Sequence, residues 1–308
     1  MSAIPTKKLG RTGYDVSILG FGTFELRGAA SWEGREVTDA EADYLLNAVL
    51  DSGINLIDTA IDYGQSEDFI GRFIAHRRDE YFLAGKIGCV PGQEGQHLYT
   101  AANVRAGVEN SLRRMKTDRL DLVQFHQSLT MQQMKEAGAL DEARKLRDEG
   151  KIRFLGSSGT LPNINEQMTT DIFDVYQIPY SALQREHEVA ITKAAQTGAG
   201  TIIRGGVAKG APDGDWDRAS NYMVGPDAMR DRWQSSRLDE ILDGMSRMEF
   251  MLRFTLSHPD LSCAIVGTKN PAHFQDNVQV AANMGPLPPD VYAEAKRRLD
   301  GAGATVQV

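Results

Sequence analysis

The sequence predicts an α/β fold, a single (β/α)8 TIM barrel with an N-terminal β-hairpin and a long loop after strand seven, and three observations predict it. Eight short apolar runs alternate with longer segments of helical period. The connections between them are short, with one exception. A strand–helix–strand unit forces parallel pairing, so eight units in succession favour a closed parallel barrel over an open doubly wound sheet.

The elements follow in order. Gly10 and Gly13 punctuate a start suited to a hairpin. Strands are expected at 17–22, 54–58, 81–86, 120–126, 152–157, 175–178, 201–204 and 263–266. Helices are expected at 39–51, 67–75, 101–115, 131–149, 164–170, 185–196, 238–256, 271–283 and 289–299, with Gly53, Gly150 and Gly198 placed where left-handed residues end helices. The exceptional connection, roughly 205–236, carries Trp216, Tyr222 and Trp233. It reads either as a cover over a site or as an excursion with its own small core. No repeat or linker-like stretch divides the chain, so residues 1–308 are expected to form one domain.

Composition removes several functions. With 41% hydrophobic and 25% charged residues, the chain is neither disordered nor fibrous. Its 34 Lys and Arg against 42 Asp and Glu give a net charge of −8, which opposes attraction to nucleic acid or an anionic membrane. No nucleic-acid or membrane partner is expected. Without an apolar leader or any run approaching 18 apolar residues, the expected location is cytoplasmic. Cys89 and Cys263 are too few for a disulfide scaffold or a Cys-based zinc site and read as reduced core thiols. The six histidines are scattered, so no metal is expected, and Arg185, Glu186, His187 and Glu188 read as a solvated helix face.

A barrel gathers ligands where strand C-termini and the following loops converge. Asp58, Lys86 and His126 end three consecutive expected strands, and Tyr63 follows Asp58 by five residues. Their chemistry is mutually consistent. A tyrosine becomes a proton donor of useful strength if an adjacent ammonium favours its phenolate, and Lys86 supplies that charge. Asp58 pairs with Lys86, while His126 donates a hydrogen bond to a carbonyl oxygen or polarises Tyr63. The set protonates an oxygen. It has no Ser or Cys nucleophile and only one central carboxylate, which disfavours acyl transfer and two-carboxylate glycoside hydrolysis. Singly, each residue also has an ordinary role as cap, turn aromatic, surface cation or structural histidine.

These residues carry a resemblance over nearly the whole chain. The stretches KLGRTGYDVSILGFGT, GINLIDTAIDYGQSEDFIG, LAGKIG, VENSLRRMKTDRLDLVQFH, DEGKIRFLGSS, VYQIPYS and IVGTKNPAHFQDN are similar to the aldo-keto reductase superfamily. The resemblance implies a (β/α)8 barrel, NADPH-dependent reduction of aldehydes or ketones, and a tetrad of Asp58, Tyr63, Lys86 and His126. In it Tyr63 is the general acid, Lys86 lowers its pKa and His126 orients the carbonyl. It also implies cofactor contacts from Gly22, Thr23, Ser158, Gln177, Gly267, Thr268, Lys269, His273, Asp276 and Asn277. Lys269 and His273 are available to a 2′-phosphate, so NADPH/NADP+ is favoured over NADH.

Two positions depart from the family pattern. Gly159 stands where many relatives have an asparagine contacting the carboxamide, and Arg204 stands where an aromatic usually stacks on the nicotinamide. Arg204 suits cofactor contact, an anionic substrate or a structural ion pair. Phe24, Arg27, Trp32 and Gln127 are candidates for the substrate pocket, with Trp216 and Trp233 of the long loop. A small-molecule carbonyl or alcohol, such as a sugar or other polar carbonyl, is the expected substrate. Two other functions keep the same residues: an epimerase or lyase working by transient oxidation, and a cofactor-sensing interaction subunit.

Overall fold

Parallel strands covered by helices are buried on both faces and read as continuous apolar runs, and this chain writes its barrel in that form. The computed structural model describes residues 2–29, 36–219, 224–303 and 306. Its barrel strands are β1 (Leu19–Gly22), β2 (Leu56–Asp58), β3 (Phe82–Ile87), β4 (Leu120–His126), β5 (Ile152–Ser158), β6 (Val175–Pro179), β7 (Gly200–Arg204) and β8 (Cys263–Val266). All neighbours pair in parallel in chain order, and Ala264 of β8 stands opposite Leu19 of β1 to close the ring.

The expected strand 17–22 divides. Asp15–Ser17 pairs antiparallel with Thr6–Lys8, and the barrel strand starts only at Leu19. This hairpin stops the N-terminal end of the barrel, where Leu9 and Val16 pack against Leu56, Phe82, Leu122 and Ile202. The plug leaves the opposite rim open.

The helices are α1 (Asp39–Asp51), α2 (Ser66–Phe73), α3 (Ala101–Arg114), α4 (Met131–Glu136), α5 (Ala139–Asp148), α6 (Asn163–Met168), α7 (Glu188–Gln196), α8 (Pro226–Ser235), α9 (Arg247–Leu256), α10 (Pro271–Gln279) and α11 (Pro289–Gly301). Thr38 and Glu41 form a capping box that starts α1 at the expected residue. The expected helix 131–149 is two helices, because Gly138 sits in the left-handed region at φ 72° and ends the first turn path before α5 begins. The expected helix 238–256 also breaks: only a 3-10 turn forms at Leu238–Ile241, and α9 restarts where Ser246 caps Glu249 N–H. The long connection after β7 contains α8, and its Trp233 is buried edge-on against Phe250. Trp216 packs against the same core. The excursion therefore packs into the main core, and its start, Gly205 to Val207 with Lys209, borders a cleft at the open rim, while Tyr222 lies outside the described residues.

Arg185 to Glu188 are not a solvated face. Arg185 is buried and bonds Glu188 and Asp300, both at 2.7 Å, tying the start of α7 to α11. His187 is wholly buried and accepts from Leu161 N–H. Charge pattern alone did not reveal that partners arrive from α8 and α11.

Asp121 at the start of β4 is a second buried junction. Its Oδ2 accepts from Leu83 N–H of β3 at 2.9 Å and from Arg78 at 2.6 Å, and its Oδ1 accepts from Arg153 of β5 at 3.0 Å. Asp121→Ala leaves Arg78 and the Leu83 amide without this acceptor, and the expected loss is about 3 kcal/mol. Urea unfolding measures it; a loss under about 1 kcal/mol, the value of a surface pair, would refute the junction.

Candidate functional site

The last residues of β1, β2, β4, β5 and β7 are Gly22, Asp58, His126, Ser158 and Arg204, and all five line one cleft of about 490 Å³ at the open rim. Barrel geometry delivers this convergence, since parallel strands end on the same side. Phe24, Tyr63, Gln127, Gly159, Gln177 and Gly267 also line it.

Asp58 organises the floor. Lys86 Nζ lies 2.6 Å from Asp58 Oδ1, with both residues at most 3% exposed, and it also donates to the Thr59 carbonyl at 3.2 Å. Asp58 Oδ2 accepts from Gln124 Nε2 at 2.9 Å and from Gln177 Nε2 at 2.8 Å. Ser158 Oγ donates to Gln177 Oε1 at 2.9 Å. The carboxylate thus carries one ammonium and two amides, the arrangement that makes a buried charge tolerable. Gln124 was not singled out from the sequence; it lies inside the apolar run of β4, and only the barrel shows that its side chain meets Asp58.

Tyr63 is held by its loop. The buried Ser66 hydroxyl lies within 2.8 Å of the carbonyls of Thr23, Leu26 and Tyr63, joining the loops after β1 and β2. Arg114 of α3 donates to the carbonyls of Ile61 and Gly64 on either side of it and pairs with Glu67 and Asp68. The Tyr63 ring packs edge-on against Phe24 at 5.1 Å and His126 at 6.0 Å, with Lys86 Nζ 5.7 Å from its centre. Burial, followed by the carboxylates of Asp58 and Asp62 and the neighbouring Cys89, holds its phenol well above the usual tyrosine range, while Arg204 acts in the opposite sense. Burial outweighs the neighbouring Lys86 ammonium, which is paired with Asp58.

His126 forms the adjoining wall. Burial, followed by the neighbouring Lys86, His97 and Arg204, holds its imidazole well below the usual histidine range, so the ring is neutral at pH 7. Beside it lie Asp62, Cys89 and His97, three residues not singled out for this site from the sequence. Cys89 and His97 stand opposite each other in a short antiparallel ribbon, Cys89–Val90 with Gln93–His97, inserted after β3. Gly88 permits the insertion at φ 102°, where a Cβ would come within 2.1 Å of the Tyr99 ring.

The remaining expected residues divide by position. Arg27 is 4% exposed, lies behind Phe24 with its guanidinium 5.1 Å from that ring and donates to the Asp62 carbonyl. Thr23 is wholly buried. Thr268, Lys269, His273, Asp276 and Asn277 follow Gly267 along the exposed start of α10, where Asn270 caps Ala272 N–H. Trp32 lies outside the described residues. Lys209, from the long connection, was not singled out for this site from the sequence; it lines the cleft with Nζ 5.4 Å from the Phe24 ring.

The Aldo/keto reductase family model matches residues 18–299. Aldo-keto reductase YhdN of Bacillus subtilis (strain 168) is 28% identical over 290 residues, covering 86% of this chain and 85% of its own. The NADH-specific methylglyoxal reductase of Escherichia coli (strain K12) is 27% identical over 315 residues, covering 90% and 93%. The holo form of aldo-keto reductase AKR11C1 from Bacillus halodurans superposes with a TM-score of 0.81 at 28% identity, covering 98% of both chains. Among the described residues no helix is long and apolar enough to cross a membrane.

The Asp58 network sets a stability test. Lys86→Met leaves a buried carboxylate with amide donors only, and the expected loss is about 3–5 kcal/mol. Adding Asp58→Asn restores part of it, because the neutral amide oxygen still accepts from a glutamine. Thermal and urea unfolding of the single and double variants measure both effects; equal stability of wild type and Lys86→Met refutes the coupling.

Proposed function

The chain belongs to the aldo/keto reductase family, and from that premise we propose that it is a nicotinamide-dependent carbonyl reductase, with NADPH as cofactor and a polar aldehyde or ketone as substrate. One observation carries the reading: Tyr63, His126 and the Lys86–Asp58 pair meet in a single cleft.

The residues present suit the cofactor. Arg204 and Lys209 bring two cations to the cleft, and Gly267 leads from its wall to the N-terminus of α10, where backbone N–H groups favour anions. Ser158 and Gln177 are polar groups at its floor that suit a carboxamide, and Lys269 and His273 near the start of α10 suit a 2′-phosphate. Gly22, Thr23, Thr268, Asp276 and Asn277 complete this proposed set.

When bound, the reduced nicotinamide supplies a hydride to the carbonyl carbon. The chain supplies the rest. Tyr63 gives its hydroxyl proton to the carbonyl oxygen as the alcohol O–H forms, and takes a proton back in the reverse direction. His126 donates one N–H to the same oxygen and fixes its direction. Lys86, held by Asp58, places positive charge beside the tyrosine as its oxygen loses the proton. The aromatic faces of Phe24 and Tyr63, with Gln127 and the cations Arg204 and Lys209, suit a polar substrate. Arg27, a pocket candidate from the sequence, donates to the Asp62 carbonyl, lies against Phe24 and is not among the residues lining the cleft.

Titration with NADPH and NADH, followed by mixing with a panel of aldehydes, ketones and keto sugars while the reduced-nicotinamide absorbance is watched, tests the reading. NADPH binding tighter than NADH and loss of absorbance are expected; binding without consumption points to transient-redox or sensing chemistry. Tyr63→Phe is expected to lower turnover by about 10²–10⁴-fold with cofactor affinity nearly unchanged, and near-normal turnover sinks the assignment. At Gly159 an added Cβ meets nothing closer than 3.6 Å. Gly159→Asn is therefore accommodated and is expected to tighten cofactor binding by about 1 kcal/mol through one new hydrogen bond. Fluorescence titration reads this; unchanged or weaker binding counts against a nicotinamide at that position.

A further inference from the structure

We propose that Asp62, Cys89, His97 and His126 form a site for a zinc-type divalent cation on the wall of the cleft. Their ligand atoms converge from the loop after β2, the ribbon after β3 and the end of β4. Cys89 Sγ lies 3.1 Å from His126 Nδ1 and 3.7 Å from His97 Nε2, and the two nitrogens are 3.3 Å apart. Asp62 lies 3.7 Å from His126 Nδ1 through Oδ1 and 3.9 Å from His97 Nε2 through Oδ2. Zinc bonds of about 2.0 Å to nitrogen or oxygen and about 2.3 Å to sulfur place tetrahedral ligands about 3.3–3.6 Å apart. The four groups already stand near those separations.

The hydrogen bonding around the cluster points the same way. His97 Nδ1 lies 3.1 Å from the Gly95 carbonyl, which only accepts, so Nδ1 carries the ring proton and Nε2 turns a lone pair inward. Gln127 Nε2 lies 3.0 Å from the same Nδ1, and the Gly95 pairing requires that amide turned so that its oxygen faces the ring. A histidine donating its outer N–H to a backbone carbonyl is the usual support of a metal ligand. Asp62 Oδ1 is buried and has no hydrogen-bond partner among the described residues. Cys89 is wholly buried, and the side chains of His97 and Asp62 are about nine-tenths buried. Lone pairs, a carboxylate and a thiol that becomes a thiolate on coordination, releasing its proton to solvent, make a donor set suited to a borderline-soft cation.

All four positions come from the protein, so the ion is a positioning element and keeps no place for substrate. Its consequence falls on His126. With Nδ1 on the ion, the proton must sit on Nε2 at the opposite edge of the ring, the form that donates to a carbonyl oxygen. Only that consequence rests on the proposed reductase reading; the binding of the ion does not.

The experiment uses the full, untagged chain stripped with chelator and titrated with zinc sulfate by calorimetry and with cobalt chloride by absorption. Expected are one equivalent of either ion, and with cobalt a thiolate-to-metal charge-transfer band beside strong tetrahedral ligand-field bands. Cys89→Ser removes the charge-transfer band, and His97→Ala weakens zinc by more than the roughly 10–100-fold that supporting-shell changes cost. Cys263→Ala, at the other thiol, keeps the band. No stoichiometric uptake by the wild-type chain, uptake without a thiolate band, or a band that survives Cys89→Ser overturns the proposal. The wild-type spectrum decides even where a variant fails to fold, and since no readout involves turnover, failure of the reductase reading remains distinguishable.

Discussion

A carboxylate taken out of water must be met by groups that replace its hydration, and in this barrel Asp58 is that carboxylate. Lys86 from β3 meets one oxygen; Gln124 from β4 and Gln177 from β6 meet the other. Four strands therefore fix one another's height at the rim through a single charged side chain. Register matters here because side chains alternate along each strand: shifting β4 by one residue would turn Gln124 away from Asp58 and carry His126 away from Tyr63. The constraint that makes the charge tolerable is thus the constraint that aligns the site.

The loops are then held to that rim by a second layer of polar contacts. Ser66 and Arg114 bind carbonyls flanking Tyr63, so the tyrosine sits on a loop without inheriting a loop's freedom. Burying backbone carbonyls without such donors would be costly, which explains why these side chains are as specific as those facing the cleft.

Much of this was legible in the sequence, and the reasons are physical. Strand runs buried on both faces leave an unbroken apolar signature, and residues ending successive strands must meet, so Asp58, Lys86 and His126 were placed together from position alone. What stayed hidden depends on long-range packing. Helix 131–149 was read through Gly138 because the apolar period continues across the break. Arg185 to Glu188 look solvated as a string of charges because Arg185 and Glu186 find Asp300 and Arg232 more than 40 residues away. Trp233 was offered to the cleft as a loop aromatic, when the segment folds into a helix and buries it.

The cluster of Asp62, Cys89, His97 and His126 was hidden for a related reason. Metal sites announce themselves when two ligands share a tight turn, but here the paired ligands are eight residues apart and become neighbours only through ribbon pairing. Two cysteines and scattered histidines exclude a Cys-rich zinc fold, yet they do not exclude one cysteine and two histidines brought together by three different loops. The same convergence that gathers Tyr63, His126 and the Lys86–Asp58 pair at a barrel rim also lets neighbouring loops share a residue with that cleft. His126 belongs to both arrangements through opposite edges of one ring: a donor pressed against fixed partners on one side is held in a single orientation on the other, and a carbonyl oxygen entering the cleft would meet that edge already in place.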